Sequence, residues 1–342
     1  MNRKIQYDLL RVIACFMVVM LHVSAFYWTK LSPSSKEWQI LNIYDSFVRS
    51  SVALFFMISG TFLLTKEVTL KKLYQKNILH LFVVLIVWSV LYAIDTLGFP
   101  AFFKKDLGSI FTAVVNGKYH LWFLWSIIGI YIFVPVLYAI THYQEGKYMK
   151  YFLLLFLIFG VLRSTLIIYP YPNRAIFDLM KKLPNMSTYA GYFVLGYYLD
   201  QKVKKKLNGA LLIGIYIFIV GCSAVIGRWD AMNKMKPAGL LYGYFCLPVF
   251  MEAVLLFLLL KGMEGYWENK EKVSKVIYFF SQNTMGIYLL HPFVLERLDR
   301  HQINSLTWNT WISVPLVTIL TFGCCLIISV VLSKIPFVRK LI

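Results

Sequence analysis

Charged residues are scarce in this chain of 342 residues. Aspartate, glutamate, lysine and arginine together make up 15% of the sequence, whereas hydrophobic residues make up 59%. Soluble globular domains carry about 25% charged residues. The composition therefore excludes an ordinary soluble protein and indicates a chain that crosses a bilayer several times. We expect a multi-pass protein of the cell membrane, with the lipid bilayer as its main partner.

Cysteine, repeats and linkers are also rare or missing. No pair of cysteines has the spacing of a redox motif or of a metal site, so we interpret all five as small apolar packing residues and expect no metal. They are Cys15, Cys222, Cys246, Cys324 and Cys325. The sequence shows no internal repeat and no Ser- or Pro-rich linker. We therefore predict a single membrane domain, 1–342, without a soluble catalytic domain.

Acidic residues are few as well. Sixteen Asp and Glu face 35 Lys and Arg, which gives a formal net charge of +19. The basic residues are scattered along the chain and form no nucleic-acid recognition module, so we expect no nucleic-acid partner. Attraction to anionic lipids together with membrane orientation is the first interpretation of this charge. An anionic ligand on the inner face remains a second interpretation.

Ten apolar segments can be drawn, most of them near the roughly 20 residues that a span needs. They are 7–27, 43–64, 77–98, 119–141, 149–168, 187–200, 208–227, 238–260, 275–295 and 311–333. The sixth is short and interrupted by glycine, so we expect it to be broken or buried against neighbours. Lysine-dense loops near 71–76 and 202–206 favour the cytoplasmic side. The fold prediction is an all-α polytopic membrane protein of about ten transmembrane helices, with both termini cytoplasmic.

The first apolar segment carries the ionisable side chains of Arg11 and His22. Such groups are costly inside a membrane and usually serve a function. Eleven residues separate them by roughly 16 Å and close to three whole helical turns, so both lie on one face, where a long ligand can touch both. Asp8, three residues before Arg11, offers a structural ion pair as the alternative. The five donors of an arginine still leave capacity for a phosphate.

Three histidines fall in the outer third of the predicted topology: His22, His120 and His291. They can meet only if the first, fourth and ninth segments are neighbours. In that arrangement they form a candidate site for proton transfer or nucleophilic catalysis. The alternative is that each is satisfied separately by carbonyl or hydroxyl groups.

Four further polar or aromatic residues are candidates for substrate binding. Ser59, next to Gly60, lies at about the level of Arg11, where small residues serve either ligand approach or helix packing. Trp122 belongs either to the site or to an aromatic belt at the interface. Tyr288 either lines a site or bonds a neighbouring helix. Glu252 lies within a span, where a partnership with an arginine is the main interpretation.

Four motifs resemble the membrane acyltransferase-3 superfamily and together cover nearly the whole chain. They are Arg11 followed after ten residues by His22, the Phe-Phe-Met-Ile-Ser-Gly run at 55–60, the His-Leu-Trp-Phe-Leu run at 120–124, and Gly-Ile-Tyr-Leu-Leu-His-Pro at 286–292. The resemblance implies transfer of an acyl group, usually acetyl, from cytoplasmic acyl-CoA to a hydroxyl or amine of a cell-envelope carbohydrate or a related acceptor.

The resemblance also assigns roles. Arg11 and His22 match the family's essential pair. The stretch before the third segment is usually arginine-rich in this family, whereas here it carries Lys71, Lys72 and Lys76. Lysine binds phosphate as a point charge without bidentate recognition. We expect these lysines and Arg11 to bind the donor phosphates, and His22 to act as general base or transient acyl carrier.

A second resemblance points to another function. The chain is similar to the membrane half of VanT-type proteins, in which such a module precedes a cytoplasmic pyridoxal-phosphate serine racemase and is associated with vancomycin resistance. That resemblance implies L-serine uptake, and a racemase partner domain following the C-terminal end. Buried polar groups of a transporter would form a site near the membrane midplane. Acyl transfer and serine uptake are therefore the two functional hypotheses.

Overall fold

The computed structural model describes residues 3–102, 104–168, 174–267 and 270–342. Every apolar segment and candidate site residue predicted above lies within these ranges, whereas the single-domain prediction also covers residues outside them. The regular structure of the described ranges is helical, and they contain no β-strand. The prediction of an all-α protein is confirmed to that extent.

The main helices are numbered α1 to α14 in chain order. They are α1 (Ile5–Trp28), α2 (Lys36–Val48), α3 (Ser51–Leu63), α4 (Leu70–Leu97), α5 (Leu107–Asn116), α6 (Trp122–His142), α7 (147–167), α8 (Arg174–Lys182), α9 (Tyr189–Lys202), α10 (Gly209–Lys234), α11 (Leu247–Lys261), α12 (Glu271–Gln282), α13 (Thr284–Arg300) and α14 (Thr310–Leu332). Both α4 and α7 contain a π-helical turn. Shorter helical turns lie at Phe99–Phe102, Tyr119–Leu121, Tyr143–Gly146 and Val338–Lys340.

In the described residues, six helical stretches are long and apolar enough to cross a bilayer. They are Ile5–Trp28, Lys36–Leu63, Leu70–Leu97, Tyr119–Ile167, Gly209–Lys234 and Thr310–Leu332. The fourth stretch contains the predicted segments 119–141 and 149–168. It is not one continuous helix, since the chain departs from helical geometry at Gln144 and Glu145, whose φ angles are 46° and 55°. These stretches agree with a membrane protein. Ten spans and cytoplasmic termini are not confirmed.

Three predicted segments form helices that are too short to count as spans. Segment 187–200 becomes α9, of 14 residues, and segment 238–260 shortens to α11, of 15, because its first part is a loop. Segment 275–295 divides at Asn283 into helices of 12 and 17 residues. Helices of this length measure about 18–26 Å, below the roughly 30 Å of a hydrocarbon core. The sixth segment is buried and continuous, not broken.

Polar side chains cap several helices at their first turns. The side chain of Ser35 accepts a hydrogen bond from the backbone of Trp38 before α2, and the side chain of Asn208 accepts from two backbone N–H groups of α10. Asp106 caps α5 in the same way, and Asn309 caps α14. These caps satisfy N–H groups that lack partners within their helix.

Helix α1 is the centre of the bundle. It packs against α2, α3, α11, α12, α13 and α14. Its side chains at Tyr7, Leu10, Ala14 and Cys15 are almost completely buried. A helix that is apolar and enclosed around much of its circumference lies inside a larger assembly of helices. Arg11 and His22 therefore lie on a helix that other helices of the protein enclose.

Helices α3 and α9 cross in backbone contact. A Cβ atom built on Gly60 would lie 1.8 Å from the carbonyl oxygen of Phe193, and one on Gly196 would lie 2.0 Å from that of Met57. Small residues allow such close approach between membrane helices. The packing interpretation of Gly60 therefore agrees with the structure.

We expect Gly60→Ala to destabilise the protein, because the added methyl group collides with backbone that cannot rotate away. Overpacking costs about 1–3 kcal/mol, sometimes more. The control is Gly214→Ala in α10, where an added Cβ meets nothing within 4 Å. The measurement is the melting temperature of the purified protein in detergent. Equal melting temperatures for the two variants would contradict the backbone contact.

Candidate active site

The three predicted histidines meet in the structure. The ring centroid of His291, in α13, lies 5.0 Å from that of His22 in α1 and 5.2 Å from that of His120. His120 belongs to the short turn before α6. The condition set by the sequence, that these three segments be neighbours, is therefore met. We call these three residues the histidine cluster.

Helices α1 and α13 run side by side in the same direction at this point. The thiol of Cys15 lies 3.6 Å from the carbonyl oxygen of Thr284, and seven residues further along each helix His22 meets His291. Seven residues are close to two helical turns, so both contacts lie on matching faces. The parallel packing of two regular helices thus positions two of the three imidazoles.

A hydrogen bond orients the imidazole of His291. Nδ1 of His291 lies 2.6 Å from the carbonyl oxygen of Tyr288. A carbonyl only accepts, so Nδ1 carries the proton and Nε2 keeps its lone pair. The hydroxyl of Tyr288 donates to the carbonyl oxygen of His120. Within the described ranges, Nε2 of His291 and both ring nitrogens of His120 are buried without a hydrogen-bond partner. The cluster therefore offers unused proton acceptors.

His22 is the most accessible member of the cluster. His120 and His291 are 2% and 0% exposed, whereas His22 is only half-buried. The ring of Tyr119 lies 5.0 Å from His22, and the neighbouring Lys118 forms an ion pair with Glu296 at 2.5 Å. Substrate thus has its most direct access to the imidazole of His22.

A cavity of about 530 Å³ lies at the other end of α1. Its lining includes four cationic side chains and one carboxylate, which favours an anionic ligand. The lining residues are Arg3, Lys4, Asp8, Arg11, Thr61, Phe62, Thr65 and Lys66. We call this space the cationic cavity.

Within the cationic cavity, Asp8 pairs mainly with Arg3. The Asp8 carboxylate lies 2.5 Å from Nε of Arg3 and accepts a hydrogen bond of 2.8 Å from Ser281, whereas Arg11 is 3.9 Å away. The hydrogen bond to Asp8 raises the pKa of Arg3 above its ordinary value. The structural pair expected between Asp8 and Arg11 is therefore secondary, because a closer arginine reaches the same carboxylate. The guanidinium of Arg11 makes no hydrogen bond in the described structure, and 35% of the side chain is exposed.

Two other predictions concern the surroundings of Arg11. Ser59 and Arg11 both lie within interaction range of Tyr131, so Ser59 is near Arg11 as expected. Lys71, Lys72 and Lys76 are exposed at the start of α4 and do not line the cationic cavity.

Comparisons with known proteins assign the chain that holds the cationic cavity and the histidine cluster to a family. A family model described as an acyltransferase domain matches residues 4–330. The chain belongs to the acyltransferase-3 family. No curated protein and no solved structure matches it. The resemblance to VanT-type racemase proteins is not supported by these comparisons.

Two other candidates of this acyltransferase are Trp122 and Glu252. The indole of Trp122 packs against Tyr189 and Tyr244, at centroid distances of 5.5 and 5.6 Å. Glu252 is 1% exposed and within electrostatic reach of Arg49. No ion pair of Glu252 is found in the described residues. The arginine partnership expected for this carboxyl is therefore not a direct contact.

Sequence reasoning missed several functional candidates of the acyltransferase. Arg3, Lys4 and Lys66 lie just outside apolar segments, where basic residues are usually assigned to orientation. Arg49 lies within the predicted segment 43–64. A charged side chain inside a span usually serves a function, so its position was a signal for a candidate site residue. In the part of the chain that the structure describes, no group of three or more side chains is arranged to bind a metal.

We expect Tyr288→Phe to weaken the acyltransferase site, because it removes the hydroxyl that donates to the His120 carbonyl. The loss of one buried hydrogen bond costs about 0.5–1.5 kcal/mol. The melting temperature should fall, and acyl transfer should fall with it. Tyr143→Phe is the matched control, because Tyr143 is exposed and its hydroxyl makes no hydrogen bond in the described structure. An unchanged melting temperature in Tyr288→Phe would contradict a structural role for this bond.

Proposed function

We propose that the protein transfers an acyl group, in the simplest case acetyl, from acyl-CoA to a hydroxyl or amine of an envelope-associated acceptor at the cell membrane. The observation that carries the proposal is the placement of Arg11 in the cationic cavity and of His22 in the histidine cluster, on one face of the same enclosed helix. Membership of the acyltransferase-3 family supports the reaction class.

The donor end is the cationic cavity. Coenzyme A carries several phosphate groups, and arginine binds phosphate through two parallel hydrogen bonds. Arg3 and Arg11 supply two guanidinium groups there, and Lys4 and Lys66 add positive charge. These residues compensate for the lysines that stand at 71, 72 and 76, where the family usually has arginine.

The acyl arm then runs along α1. The distance from Arg11 to His22, roughly 16 Å along the helix, matches a long flexible arm. Cys15 and Val18 occupy the same face between them, and both are buried. Because Thr284 of α13 contacts Cys15 at 3.6 Å, this face is closed by packing, and α13 has to move aside for the arm to pass.

Transfer takes place at His22. The imidazole accepts the proton of the acceptor hydroxyl while that oxygen attacks the thioester carbonyl. The carbon–sulfur bond then breaks, and the thiolate of coenzyme A leaves and takes up a proton. The unprotonated Nε2 of His291 lies beside His22 and stabilises the charge that His22 gains. General-base catalysis by a positioned histidine contributes typically 10²–10⁴-fold.

We expect His22→Ala to abolish acyl transfer, because no other half-buried imidazole replaces it at the cluster. The measurement is turnover of acetyl-CoA by purified protein in detergent. His301→Ala, in an exposed turn, is the matched control and should keep wild-type turnover. Full transfer in a folded His22→Ala variant would contradict the catalytic role. Uptake of L-serine into proteoliposomes without acyl-CoA would instead support the transport hypothesis.

We expect Arg11→Ala to weaken acetyl-CoA binding at least tenfold, because it removes a guanidinium from the cationic cavity. The double variant Lys71→Ala/Lys72→Ala should change binding less than twofold, since both lysines lie outside that cavity. Calorimetric titration of each purified variant with acetyl-CoA measures the effect. The reverse order of effects would move the donor phosphates to the lysine-rich start of α4.

A further inference from the structure

A second ion pair, between Asp45 and Arg49, lies at the end of α2, in the helical stretch that also contains α3. Arg49 and Ser50 separate these two helices in the middle of the stretch Lys36–Leu63. The carbonyl of Phe47 accepts a hydrogen bond of 2.5 Å from the hydroxyl of Tyr216 in α10. Interrupted helices at membrane depth occur where protein or a polar cavity surrounds them.

The guanidinium of Arg49 is only partly used. Its Nε donates to Oδ2 of Asp45 at 2.8 Å, and its Nη2 donates to the same oxygen. The ring of Tyr242 lies 4.9 Å from the guanidinium carbon. In the described structure Nη1 makes no hydrogen bond, and 19% of the side chain remains exposed. A guanidinium has five N–H donors, so several are free for a ligand.

Two buried carboxyl oxygens near Arg49 also lack partners. Oε2 of Glu252 and Oδ1 of Asp45 are buried without a hydrogen bond in the described residues. Glu252 is 1% and Asp45 0% exposed. Buried polar atoms are normally hydrogen-bonded, and the exceptions need an explanation. Free donors on Arg49 and free acceptors on both carboxyls together describe a polar site that a ligand can satisfy.

This polar site lies within electrostatic reach of the imidazole of His22. The charge of Arg49 acts on His22, which places the two side chains within electrostatic reach of each other. Tyr244 also lies near Arg49, and its ring packs against Trp122. Aromatic faces beside donors and acceptors suit a ring-shaped ligand with an apolar face and a polar edge.

We propose that Arg49, Asp45 and Glu252 bind the acceptor, and that the part of the acceptor they bind is an uncharged polyhydroxyl ring. This inference rests on the proposed function. Hydroxyl groups accept from Arg49 and donate to the two carboxyls, whereas an anionic group would add negative charge beside both of them. The pair Asp45–Arg49 is already neutral, so the site has no net positive charge for an anion.

The test measures ligand binding to the full chain in nanodiscs without donor, by saturation-transfer NMR. The probes are methyl α-D-glucoside, its acidic relative D-glucuronate, and L-serine. We expect methyl glucoside to bind best. Asp45→Asn/Arg49→Gln, which removes both charges together, and Glu252→Met should each weaken this binding at least tenfold. Acetyl-CoA binding should change less than twofold in both variants.

The matched control is Asp230→Asn/Lys234→Gln, which removes a pair of the same spacing from α10. It should leave glucoside binding unchanged. The proposal is overturned if the wild type does not bind methyl glucoside, if neither site variant weakens it, or if glucuronate or L-serine binds better. Weakened acetyl-CoA binding in the site variants would also overturn it. A wild type that binds glucoside but not acetyl-CoA would refute the proposed function and leave this site intact.

Discussion

Helix α1 is apolar and enclosed by other helices, yet it contains a guanidinium and an imidazole. This constraint shapes the rest of the bundle. An isolated charge in hydrocarbon is costly, so such residues face protein or a polar cavity. The surrounding helices, from α2 and α3 to α11 through α14, meet this need by enclosing α1. Arg11 and His22 are among the side chains of α1 that stay partly exposed. The enclosure that stabilises α1 therefore also defines the two ends of the site.

Close packing elsewhere follows from the same enclosure. Gly60 and Gly196 let α3 and α9 meet backbone to backbone, and α3 in turn packs against α1. Thr61 and Thr65, in and just beyond the last turn of α3, line the cationic cavity. A side chain at Gly60 would push α3 away from α9 and shift these cavity residues. The glycine of the family motif thus acts through helix spacing and not through ligand contact.

The sequence predicts local geometry better than contacts between distant segments. The shared face of Arg11 and His22 follows from helical periodicity alone. The meeting of His22, His120 and His291 depends on which helices become neighbours, which no local pattern contains. Asp8 illustrates the same limit, because helical spacing selects Arg11 as partner, whereas the chain before α1 brings Arg3 closer. Hydrophobicity also does not distinguish a span from a buried short helix such as α9.

The two ends of α1 differ in charge, and this difference has a consequence for selectivity. The cationic cavity contains four cations and one carboxylate. The charges around His22 are paired: Arg49, which acts on His22, pairs with Asp45, and Lys118, next to Tyr119, pairs with Glu296. An anionic donor is therefore attracted to one end and not to the other. In the proposed reaction, the phosphates of the donor lie about 16 Å from the imidazole while an uncharged ring occupies the acceptor end. Charge separation along one helix thus keeps the two substrates from competing for the same site.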